Sequence, residues 1–141
     1  MTDRAGRESR SVVVTGASGF VGRALVRALA GRGVAVAVVA VTRTDLTAPG
    51  AAWMRVADYR DTPCPAGATL VHLAEEANIP LAAARGAAHV DEVRGCVAAL
   101  AAKDFRRIVY TSSGQVYRAA SDAADPYVAA KRAAESIVLA A

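Results

Sequence analysis

The chain has 141 residues, 54% of them hydrophobic, 17 basic against 13 acidic side chains, a net charge of +4 and a mean hydropathy of +0.26. This composition excludes a disordered chain and fits one compact domain. No stretch approaches the roughly 18 unbroken apolar residues of a membrane span, and residues 1–10 are polar without a signal-peptide core, so a cytoplasmic protein with no membrane partner is expected.

The basic residues stand singly or in short pairs with few aromatics between them, which suits a phosphate-bearing small molecule and gives no reason to expect nucleic acid. Cys64 and Cys96 have no CxxC spacing and no histidine cluster beside them. They read as ordinary buried thiols, with neither a disulfide framework nor a metal site.

Residues 1–10 read as a flexible tail and 11–141 as the folded domain. A first strand is expected over 11–15, "SVVVT", and a helix over about 20–31, stopped by Gly31 or Gly33. "VAVAVVAV" at 34–41 is too continuously apolar for a half-exposed edge and reads as a buried second strand. A short third strand falls around 53–57, a fourth at 68–74 ("ATLVHLA"), and a helix over about 88–102 with Val90, Val93, Val97 and Leu100 at helical spacing. A fifth strand covers 106–113, "RRIVYTSS", and a last helix starts near Pro126. Strands alternating with helices specify an α/β domain built on a doubly wound parallel sheet.

Between first strand and first helix there is room only for a tight turn. Gly16 permits the turn, Gly19 leaves bare backbone for a pyrophosphate, and Gly22 lets the helix lie close to the strand. The free N–H groups and partial positive charge of the helix start then face the phosphates. Gly16, Ser18, Gly19, Phe20, Val21 and Gly22 are the expected phosphate-binding segment; the plainer alternative is a turn that merely needs glycine.

"TGASGFVG", the acid in "VADYRD", "LVHLA" closing the fourth strand, "RIVYTSSGQVY" closing the fifth and "YVAAK" on the last helix occur in that order. With these landmarks, residues 11–141 resemble the short-chain dehydrogenase/reductase superfamily, in its extended branch of NAD(P)-dependent epimerases, dehydratases and reductases that often act on nucleotide sugars. The resemblance implies a Rossmann-type sheet of strand order 3-2-1-4-5. It also implies hydride transfer, supplied by a bound nicotinamide, at a carbinol or ketone carbon of a small substrate.

Tyr127 and Lys131 are four residues apart, on one helix face and about 6 Å apart along the axis. A free phenol titrates near pH 10 and is a poor acid–base catalyst at neutral pH; a neighbouring ammonium favours its ionised form. Tyr127 would then exchange a proton with the substrate oxygen. The resemblance gives Lys131 a hydrogen bond to the cofactor ribose and places the third catalytic residue at Ser113, rather than at the adjoining Thr111 or Ser112. Surface positions on an alanine-rich helix are the plainer reading of the Tyr/Lys pair.

At the end of the second strand, "AVTRTD" has Arg43 where NAD-specific proteins place an acid for the ribose 2′-hydroxyl. Arg43 can pair with a 2′-phosphate, so NADP(H) is preferred over NAD(H), with Asp45 as the acid if the strand ends later. By resemblance Asp58 meets the adenine, though a solvated turn aspartate reads almost as well. His72 is a packing residue rather than a base, and Leu73 and Ala74 line the cofactor with backbone.

Several features depart from the family pattern. No C-terminal substrate domain is expected within residues 11–141, the stretch from Ser113 to Tyr127 is short, Glu92 stands where the family has an asparagine supporting the active-site helix, and "EEANIP" replaces small residues after "HLA". Two functions therefore stay open: an oxidoreductase or epimerase, and a catalytically incomplete NAD(P)-binding module acting through a partner chain. Apolar surface beyond the fifth strand and along the last helix predicts association, and the family resemblance implies a homodimer or other oligomer with its contact at the helices of 90–102 and 126–140.

Overall fold

A computed structural model describes residues 10–31, 36–118 and 125–141. The elements follow in the order β1 (Arg10–Thr15), α1 (Phe20–Ala30), β2 (Val36–Thr42), β3 (Ala52–Arg55), β4 (Thr69–His72), α2 (Ile79–Arg85), α3 (Ala87–Ala101), β5 (Arg107–Tyr110) and α4 (Pro126–Ala140). Two single 3-10 turns, Tyr59–Asp61 and Gly114–Tyr117, follow β3 and β5. The strands form one sheet in the order β3-β2-β1-β4-β5, every neighbouring pair parallel. This is the Rossmann-like arrangement expected above.

β1 is the central strand, and its register shows why its valines are buried on both sides. Val13 faces Val39 and Leu70 across the ladder, Val14 faces Ala40 and Val71, and successive side chains point to opposite faces. Val13 joins Val41, Leu70, Cys96 and Leu100 in the core under α3. Val14 joins Ala17, Val26, Val38 and Ala40 in the core under α1. α3 and α4 pack on each other through Val93, Val97, Ala130 and Ala134, the alanines allowing close approach.

Several boundaries move. β3 stops at Arg55, β4 at His72 and β5 at Tyr110, two or three residues before the apolar pattern ends. The remaining residues, Leu73 and Ala74 among them, leave the ladder at the carboxyl edge of the sheet, where they turn toward the crevice. β1 begins at Arg10; the rest of the proposed tail, Gly33 and the first two residues of the proposed second strand lie outside the described residues. α1 ends with Gly31, whose N–H bonds to Arg27 O in a right-handed conformation.

α2 is an element that the periodicity did not reveal. Its start lies in "EEANIP": Asn78 Oδ1 accepts from Leu81 N–H at 3.1 Å, and Pro80 fits the first turn. At the far edge Val109 is 42% exposed and on α4 Leu139 is 87% exposed, the apolar surface anticipated from the sequence. Among the described residues no helix is long and apolar enough to cross a membrane.

The tightest constraint is at Gly22. A Cβ there would lie 2.2 Å from Gly16 O and 2.8 Å from Ala17 Cα, both backbone. Gly22→Ala is therefore expected to destabilise the fold by about 2 kcal/mol or more, whereas alanine at exposed Gly114, where a Cβ meets nothing within 4 Å, changes it far less; urea unfolding of the two variants checks the difference.

Candidate active site

The turn from β1 to α1 is held by backbone. Ala17 N donates to Val41 O at 3.2 Å and Gly19 N to Gly16 O at 3.0 Å. Gly16 has φ +67°, and a Cβ on it would come within 2.9 Å of Ala74 N and Leu73 C. Only glycine fits this close approach between the turn and the end of β4. Gly19 caps α1 without a side-chain hydrogen bond, and the first turn carries no acid. The positive end of the helix is thus left for an external anion.

The turn forms one wall of a cleft of about 370 Å³. Gly16, Ser18, Gly19, Leu73 and Ala74 line it together with Arg43 and Asp58, and His89 and Cys96 of α3 are also in the lining. Phe20, Val21 and Gly22 stand at the start of α1 beside the cleft; the Phe20 side chain is 93% exposed and Gly22 is buried against the turn. Ser113, Tyr127 and Lys131 do not line this cleft.

Arg43 lies over the Tyr59 ring, its Cζ 5.4 Å from the centroid. Asp45 points elsewhere, paired with Arg55 at 3.1 Å outside the cleft. Asp58 caps the 3-10 turn: Oδ1 accepts from Arg60 N–H and Oδ2 from Arg60 Nη1, both at 2.8 Å. The backbone N–H of Arg60 and then its guanidinium hold the Asp58 carboxyl below the ordinary carboxylate range. The same guanidinium binds Glu92 at 3.2 and 3.4 Å. Glu92, the departure from the family asparagine, is therefore an ion-pair partner of Arg60. Gly95 leaves room for it, since a Cβ there would lie 2.9 Å from Arg60 Nη2.

α4 brings Tyr127 and Lys131 together. Asp125 Oδ1 accepts from Tyr127 N–H at 2.9 Å and from Val128 N–H at 3.4 Å, fixing the helix start, and Pro126 occupies the first turn. Lys131 Nζ lies 5.8 Å from the Tyr127 ring centroid and 5.1 Å from that of Tyr110. It donates to Thr111 O at 3.0 Å and to Glu75 Oε2 at 2.6 Å. Both side chains of this ion pair are about nine-tenths buried. Ser113, just past β5, caps the second 3-10 turn, its Oγ accepting from Gln115 N–H at 3.2 Å. Residues 119–124, in the short stretch before Tyr127, lie outside the described residues.

Glu75 is the residue that sequence reasoning passed over; its only signal was an acid directly after "HLA", where small residues are usual. Tyr110 Oη also donates to its Oε2, at 3.0 Å. Burial, then the charge of Glu75 and this hydrogen bond, push the Tyr110 phenol up, so it stays a neutral donor. Behind them Thr15 Oγ1 accepts from Leu73 N–H at 3.2 Å and lies 2.7 Å from His72 Nδ1. His72 Nε2 faces Glu75 Oε1 at 3.9 Å. That oxygen and that nitrogen have no hydrogen-bond partner among the described residues. Burial pulls His72 down to about 4, against the attraction of Glu75, so the imidazole is neutral at pH 7. Burial, then Arg85, also lowers His89.

The glycine turn at the carboxyl edge of a 3-2-1-4-5 parallel sheet, with a Tyr/Lys helix beyond the fifth strand, defines a Rossmann-like α/β protein of the short-chain dehydrogenase/reductase type. The chain belongs to the NAD dependent epimerase/dehydratase family, whose sequence profile matches residues 12–141. Among solved structures it is similar to MoeE5 in complex with UDP-glucose and NAD, at 27% identity and TM-score 0.73, over 92% of this chain and 48% of that one. A UDP-galactose 4-epimerase matches at 25% identity and TM-score 0.72, over 90% of this chain and 49% of its own. The UDP-glucose 4-epimerase of Brucella ovis, in complex with NAD, shares the fold at 18% identity and TM-score 0.70, over 93% and 47%. This chain spans about half the length of these structures. A comparison with curated proteins finds no match.

His72 generates a pH prediction. Its value is about 4 in the fold against 6.5 for a free histidine, so the unfolded chain takes up the proton first. The stability this burial contributes is complete above about pH 6.5 and is lost as pH falls toward 4, by about 3 kcal/mol. Urea unfolding across this interval is expected to lose that component of its pH dependence in His72→Asn.

Proposed function

We propose that the cleft binds a nicotinamide dinucleotide and that the site serves hydride-transfer chemistry at a carbinol or ketone carbon of a small carbonyl substrate of the nucleotide-sugar kind. The observation that carries this reading is the uncapped start of α1, opening beside a wall of bare backbone where any side chain at Gly16 or Gly22 would collide with main chain. Such a cradle suits a diphosphate: N–H donors and a positive helix end are presented without side chains in the way. The naming of UDP-glucose and NAD for MoeE5, at 27% identity, supports the substrate and cofactor classes.

Gly16, Ser18, Gly19, Phe20, Val21 and Gly22 would hold the diphosphate, with Leu73 and Ala74 opposite and Asp58 toward the adenine. Arg43 lies in the cleft and Asp45 outside it, paired to Arg55, which favours a 2′-phosphate and hence NADP(H). When bound, the nicotinamide supplies the hydride exchange. This chain's own residues handle the proton: Tyr127 exchanges it with the substrate oxygen, and Ser113, whose Oγ already accepts from Gln115, offers its O–H to that same oxygen. Lys131 keeps positive charge 5.8 Å from the Tyr127 ring. The exposed Val109 and Leu139 support association into a homodimer.

Calorimetric titration of the purified chain is expected to show NADPH binding about tenfold tighter than NADH, a difference of about 1.4 kcal/mol, and Arg43→Ala is expected to remove the difference. Equal affinities in the unaltered chain would assign Arg43 no part in cofactor choice. Tyr127→Phe is expected to keep NADPH binding and lose turnover on a panel of nucleotide sugars and ketones; turnover at the original rate would take Tyr127 out of the mechanism.

A further inference from the structure

The dinucleotide reading gives no role to a buried carboxylate at residue 75, yet one is there, in a socket of polar side chains from three elements. Lys131 of α4 and Tyr110 of β5 both donate to Oε2, while His72 of β4 turns its Nε2 toward Oε1. A buried ion pair contributes little stability relative to apolar groups of the same size. What it does change is the chemistry open to Lys131. An ammonium has three N–H donors; two are committed to Glu75 and Thr111 O, and the carboxylate stands 2.6 Å from it as an ion-pair partner.

We propose that Glu75 is a latch on Lys131, a positioning residue against which any ligand hydroxyl seeking the ammonium must compete. The proposal rests on the dinucleotide reading of the cleft, which Glu75 itself borders. The competition is unequal, because a charge-assisted bond to carboxylate is stronger than one to a neutral hydroxyl. Dinucleotide affinity in this chain is therefore held down at its nicotinamide half and left untouched at its adenosine half.

The test is calorimetric titration of the full chain with NADPH and with ADP, which ends at the diphosphate and lacks the second ribose. Glu75→Ala is expected to bind NADPH about tenfold tighter than the unaltered chain, with ADP unchanged within about twofold, and to show no gain for NADPH in a Lys131→Met background. Binding of NADPH by Glu75→Ala alone, with none by the unaltered chain, also supports the latch. Should melting show that Glu75→Ala does not fold, Glu75→Gln, which removes the charge and keeps an acceptor oxygen, is held to the same criteria. Unchanged or weaker NADPH binding, an equal gain for ADP, or a gain that survives Lys131→Met overturns the latch while leaving the cleft reading intact. Failure of every variant to bind either nucleotide overturns the cleft reading, and the latch with it.

Discussion

The approach of two backbone segments at the carboxyl edge of the sheet sets everything else. Gly22 puts α1 so close to the turn that a single methyl group would lie 2.2 Å from Gly16 O, and Gly16 in its left-handed conformation lies against the Leu73–Ala74 backbone. This contact fixes the angle at which α1 leaves β1 and the direction in which its free N–H groups point. It also brings the ends of β1 and β4 together, so that the cleft is walled by main chain on both sides.

Behind that cleft the polar groups are organised in two layers. Thr15 sits beneath the turn, accepting from Leu73 N–H and contacting His72 Nδ1; it holds the end of β4 beside an imidazole that burial keeps neutral. Next to it Glu75 gathers Lys131 and Tyr110. At the opposite end Arg60 joins Asp58 to Glu92, linking the segment after β3 to α3. The departures at Glu75 and Glu92 thus each found a cationic partner, and each ties a loop to the helix layer.

Much of the fold was legible because it is written in local patterns. Continuous valine runs, alanine-rich helical spacing and glycines at a strand-to-helix turn are short-range signals, and they led to the doubly wound sheet and to the glycine turn that borders the cleft. Strand ends were less legible: the pattern of "ATLVHLA" continues through Leu73 and Ala74, yet the ladder stops at His72, because backbone leaves a sheet where it finds other partners, which apolar spacing does not encode. α2 was missed because its signal is a cap, Asn78, rather than a long periodic stripe.

By itself the sequence determined the fold class, the glycine cradle and the pairing of Tyr127 with Lys131 on one helix, since each depends on residues within a turn or two of one another. Only the tertiary structure decided that Asp45 belongs to Arg55, Glu92 to Arg60 and Lys131 to Glu75. The first of these pairs spans ten positions, the second thirty-two and the third fifty-six. Which acid meets which base across such separations depends on the sheet order and on where each strand ends, quantities that exist only once the chain has folded.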